Sequence, residues 1–168
     1  ILSEAERIIA GHCHKLLFSW KRTPGLKEDG SIDSDELYKW YNKARKISIE
    51  KDRYEIAMTY FGHTLFYAPS DKDGFFIDRK VADIIQSDKE GHIGRGYSTE
   101  AYNSRGVHWC DPTGEAEFQL EKEYLEKAEE ADSKGYFKLG EIMRNISKTY
   151  HNEGLYNIEE HRQRENTE

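Results

Sequence analysis

Valine is almost missing from this chain. Of its 168 residues two are valine, and Leu, Ile, Val and Phe together number 33. With no apolar/polar alternation of period two, that composition argues against a fold built from sheet. Two cysteines, Cys13 and Cys110, lie in no CxxC pair, which excludes a disulfide framework and points to a reducing, cytoplasmic setting. No stretch approaches the roughly 18 uncharged apolar residues of a membrane span. The most apolar early run, Ile8 to Trp20, is broken by His12, His14 and Lys15, so no membrane partner is expected. Clustered positive charge is also absent: 25 Lys and Arg face 32 Asp and Glu, a net charge of −7. Duplex nucleic-acid binding depends on neutralising phosphates, and this balance argues against it.

What the chain does have is aromatic bulk. Its 21 Phe, Tyr and Trp residues can each bury a large area and stand in for missing aliphatics as core. The length suits one domain, taken as 1–160, followed by a polar tail over 161–168. The chain begins at Ile1 with no signal-peptide pattern, and it is expected to be a piece of a larger polypeptide.

Helical spacing dominates, so the pattern predicts an all-α fold of about six helices in a compact bundle. Ser3 and Glu6 have capping-box spacing, and Ala5, Ile8, Ile9, His12, Leu16, Leu17 and Trp20 then recur along a helix predicted over 3–22. Pro24 and Gly25 end it. A second helix follows Asp33 or Ser34 with Leu37, Trp40, Tyr41, Ala44 and Ile47 on one face. A third spans 53–67 and a fourth 78–87. Glu115 to Lys134 and Phe137 to about Glu153, broken at Gly135, read as an antiparallel C-terminal hairpin. Between them and the fourth helix lies a long Gly-rich loop, about 89–114, with a short helical turn expected near 99–103. Loops beyond roughly 12 to 15 residues are more often functional or partly helical than idle.

Most chemical motifs fail on spacing. Asp29 to Leu37 resembles the second half of a calcium loop, yet Gly25 and Lys27 stand where the first carboxylate ligands belong. A turn followed by a capping aspartate explains the same residues. His12 and His14 would point about 200° apart on a helix and cannot share an ion, so no metal and no cofactor is expected. Gly91-His92-Ile93-Gly94-Arg95-Gly96 is neither dinucleotide nor P-loop pattern. No acid/base pair or nucleophile with its base stands out, so no catalytic residue is assigned. A softer candidate site remains in the loop: His92, Arg95, Asn103, Arg105, His108, Trp109 and Asp111 could line an anion or peptide pocket, with arginine forks and a flat indole wall.

Leu16-Leu17 to Trp20, Thr23-Pro24-Gly25, Asp29 to Asp33, Leu37 to Trp40, Gly62-His63-Thr64-Leu65, Ala68-Pro69, Asp73-Gly74 and Tyr102 to Val107 together resemble a helical module at the C-terminal ends of large bacterial proteins. That resemblance implies context rather than chemistry: assembly or recognition within a larger bacterial protein. The function expected is therefore a non-catalytic interaction domain that holds a protein partner or a neighbouring domain through exposed aromatics. The competing expectation is a small-ligand or anion-binding, or hydrolytic, domain with its site in 91–114. A contiguous exposed apolar patch would favour the first. Convergence of Arg95, Arg105, His108 and Asp111 would favour the second.

Overall fold

Short polar side chains start three of the helices. In a computed structural model describing residues 3–107 and 110–165, Ser3 and Glu6 close a full capping box on α1 (Glu4–Ser19). Asp33 accepts from the amides of Asp35 and Glu36 to start α2 (Ser34–Glu50), and Asp78 accepts from Lys80 to start α4 (Arg79–Ser87). The remaining helices are α3 (Tyr54–Leu65), α5 (His92–Asn103), α6 (Glu115–Ser133) and α7 (Phe137–Glu165). Among the described residues there are no strands; Leu26 and Ile32 make an isolated antiparallel bridge.

The segment expected as a Gly-rich loop over 89–114 contains a whole helix, α5. Its glycines serve helix packing. A Cβ at Gly96 would overlap the Thr59 carbonyl oxygen, and one at Gly62 would overlap that of Ile93. The glycines therefore let α3 and α5 touch backbone to backbone. In one sequence such glycines look the same as loop glycines, because both are positions without side chains.

Two ends also differ from expectation. α1 stops at Ser19, not near Arg22, because Thr23 is fully buried and its hydroxyl donates to the Thr64 carbonyl at 2.9 Å, pinning an extended linker. α7 continues beyond Glu153 through the expected polar tail to Glu165. There Arg164 pairs with Glu160 at 2.7 Å and Gln163 donates to Glu159 at 3.0 Å, four-residue spacings that support an exposed helix.

α6 and α7 turn back on each other through 134–136. Arg144 reaches Asp132 at 2.6 Å and His151 reaches Glu121 at 3.0 Å, so partners run in opposite directions along the two helices. The core runs from the α3–α5 pair into α7, which also packs on α4 and α6. Met58, Leu65, Ile84, Ile93, Leu139 and Met143 are fully buried, with Phe75 and Tyr150 beside them. Tyr150 stacks between Tyr102 and Tyr124. Two tryptophans depart from the expected aromatic interior: Trp20 and Trp40 are 39% and 41% exposed.

Candidate functional site

The exposed tryptophans belong to one surface feature. At about 100° per residue, Trp40 and Ile47 lie roughly 60–80° around α2 from Leu37. Leu37 enters the core, whereas Ile47 is 46% exposed. One apolar arc of α2 thus serves two surfaces, and the outer part faces a groove of about 600 Å³. α3 contributes Ile56, Ala57, Tyr60 and Phe61, and the end of α1 contributes Leu16, Leu17 and Trp20.

The walls are held in place. Trp40 lies nearly parallel to Phe61, with ring centres 5.7 Å apart, and Tyr41 stacks on the same ring at 5.4 Å. The Trp20 indole N–H donates to the Arg22 carbonyl at 2.6 Å. His14 and Tyr60 meet at 3.3 Å and join α1 to α3. Even so, α1 buries none of its residues. Its apolar stripe leaves Ile8, Ile9 and Leu16 more than half exposed, and Phe18, off that stripe, is 65% exposed. The charged residues that line the groove are Lys43, Lys51 and Arg53, all cations.

The residues expected in a loop site are spread out. Arg95 sits in the first turn of α5 and pairs with Glu55 at 2.6 Å. Arg105 follows the other end of that helix, about 15 Å further along its axis at 1.5 Å per residue. It lies within 3.0 Å of Glu117 and 3.5 Å of Glu153, above the Tyr150 ring. His92 faces Glu90 at 3.0 Å and packs edge-on against Tyr54. The Asn103 carbonyl accepts from Gly106, and Asp111 accepts from the amide and hydroxyl of Thr113 within its own turn. Backbone hydrogen bonding to Thr113, more than the hydroxyl, holds the Asp111 carboxyl below its ordinary value. His108 and Trp109 lie outside the described residues. Arg95 and Arg105 thus lie at opposite ends of α5 on different carboxylates, and Asp111 is engaged within its own turn. Arg95 instead borders a crevice of about 360 Å³ between α5 and α7, where Lys89 and Lys138 are mixed with Asp88, Glu90 and Glu141.

A proton-holding cluster joins His63 on α3 and Tyr67 just after it to Glu100 on α5. The Tyr67 hydroxyl donates to Glu100, whose other oxygen is 3.8 Å from His63 Nδ1. Burial, reinforced by the Glu100 carboxylate, pushes the Tyr67 hydroxyl far above its usual range, so it stays protonated and donates. Burial also lowers the His63 imidazole below its ordinary value, against the opposing pull of Glu100. The groove takes in Tyr60 and Thr64 but not His63, so this cluster braces a wall from behind. Among the described residues no group of three His, Cys, Asp or Glu is placed to hold a metal ion, and no helix is long and apolar enough to cross a membrane. Asp29 and Asp33 close a turn onto Ser31 and cap α2.

No protein-family model, curated protein or solved structure matches this chain.

The groove was not legible in the sequence because an apolar helix face reads the same whether a neighbouring helix covers it or leaves it open.

Proposed function

We propose that this protein is a non-catalytic helical interaction module that holds a protein partner in the groove between α1, α2 and α3. One observation carries the reading: Trp20, Trp40, Ile47 and Ile56 are all at least 39% exposed, and all line one continuous apolar groove. Contiguous apolar surface of this kind marks interaction sites, and tryptophan is enriched among the residues that dominate binding energy. A helix laid into an apolar groove is a recurring recognition mode that uses anchors three, four and seven residues apart. The proposal extends to a module of a larger bacterial protein, supported by the pattern of turns and tryptophans.

A ligand or anion site in 91–114 is less favoured. Arg95 and Arg105 lie at opposite ends of α5, and Arg105 is already engaged by two carboxylates.

The test is selection from a displayed library of amphipathic helical peptides on the full chain, with excess Ile47→Arg protein as competitor. Ile47 is exposed, so this change leaves the core intact. Peptides that bind the chain and lose at least tenfold in affinity for the Ile47→Arg variant support the reading. Selected peptides that bind both proteins equally would refute it.

A further inference from the structure

The groove's charge narrows what can occupy it. The chain carries a net charge of −7, yet the charged side chains lining the groove are Lys43, Lys51 and Arg53. The surrounding sequence has the same bias: from Leu37 to Arg53 there are six Lys and Arg against two Asp and Glu. All three groove cations are exposed. They therefore border an apolar floor formed by Trp40, Ile47 and Ile56, with their charges in reach of whatever lies on it.

Resting on the docking reading above, we infer that the occupant is an amphipathic helix of a partner protein whose apolar stripe is flanked by acidic residues. Length fits this class of partner. Lys51 lies eleven positions after Trp40 on the groove side, about 16 Å at 1.5 Å per residue, or three helical turns. That is room for anchors at positions i, i+3 or i+4, and i+7. The cations would meet carboxylates flanking the stripe and select against basic amphipathic helices, since like charges brought together at an interface disfavour the wrong partner.

A second copy of this chain fits poorly. Its acidic helix is α6, with eight Asp and Glu against two Lys over 115–133. Along α6, however, Leu125 is the large hydrophobic residue that is well exposed, and one side chain does not make a stripe.

The experiment starts from the tightest groove-dependent peptide of the selection and places either glutamate or lysine at the positions flanking its apolar stripe. Affinities are measured by fluorescence anisotropy on the full chain at low and high salt. The expected result is at least tenfold tighter binding of the glutamate version at low salt, narrowing as salt screens the charges. The triple change Lys43→Glu, Lys51→Glu, Arg53→Glu should reverse the preference, and circular dichroism checks that this exposed triple variant remains folded. Single reversals at Lys43 and Lys51 provide smaller shifts of the same sign if the triple variant unfolds. Equal affinities for the two versions, or a preference unmoved by the reversals, overturn the acidic-helix inference and leave the docking reading standing. Concentration-dependent dimerisation of the full chain abolished by Ile47→Arg would overturn it in favour of a second copy. A selection that yields no groove-dependent peptide defeats the docking reading itself, before the flanking charges are compared.

Discussion

Arg105 shows how a residue that resembles a ligand-binding group can be used up by the fold. Its guanidinium spans Glu117, which is fully buried, and Glu153, while stacking over Tyr150. Taking away one member of such a buried arrangement costs far more than the arrangement adds in net stability. Arg105→Ala should therefore lower unfolding stability by about 3 kcal/mol in urea titrations, whereas Arg95→Ala, which breaks an exposed pair with Glu55, should cost less than about 1 kcal/mol. His63 supplies a pH dependence. Burial lowers its folded value below the ordinary 6.5, so the unfolded chain binds the extra proton first. Its contribution to stability is thus present above pH 6.5 and is lost as pH falls toward the lowered folded value. Melting curves of His63→Gln should show a shallower loss of stability below pH 6.5 than those of the unchanged protein. The carboxylates of Asp33 and Asp73, held low chiefly by backbone hydrogen bonds, act in a separate window at and below the ordinary carboxylate range.

Among elements, the crossing of α3 and α5 depends on glycine and α1 depends on almost nothing. Gly96→Ala places a methyl group onto the Thr59 backbone. The gain in helix propensity of about 1 kcal/mol is outweighed by an overpacking cost of about 3 kcal/mol or more. Gly11→Ala, in α1 with open space around it, should leave the global unfolding midpoint unchanged. The two variants compared by thermal denaturation test whether these glycines serve packing or permissiveness. α1 buries no residue, so its amides should exchange with solvent much faster than those of α3 and α5, read by hydrogen exchange. A chain beginning at Trp20 should keep the cooperative unfolding of the remaining helices, since Thr23 and its bond to Thr64 stay in place.

At the scale of the whole molecule, charge and apolar surface are segregated. The stretch from Leu37 to Arg53 is basic, α6 is strongly acidic, and the cations of that stretch border the exposed apolar groove. That polarity orients an acidic partner during approach, through forces that fall off over about 10 Å at 0.1 M salt. The closely packed pair α6 and α7 and the contact of α3 with α5 form the packed body. The groove is bounded on one side by a helix that this body does not enclose, so partner binding should raise α1 protection in hydrogen exchange more than protection elsewhere.

The sequence by itself determined the helical class, because three- and four-residue apolar spacings and capping side chains act within a turn or two of the chain. Ser3 with Glu6, Asp33 and Asp78 set helix starts locally, and Gly135 marked the turn between α6 and α7. Tertiary structure decided which apolar positions meet a neighbour. Leu37 and Ile47 share one arc in the sequence, yet the packed fold buries the first and leaves the second open. It also decided what the glycines were for, since a close backbone approach between Gly96 and Thr59 is a relation between two helices that no local pattern encodes. The loop residues divided for the same reason: whether Arg95 and Arg105 converge depends on the intervening chain being coil or helix. Folding it as α5 sets them apart and sends Arg105 to carboxylates on α6 and α7.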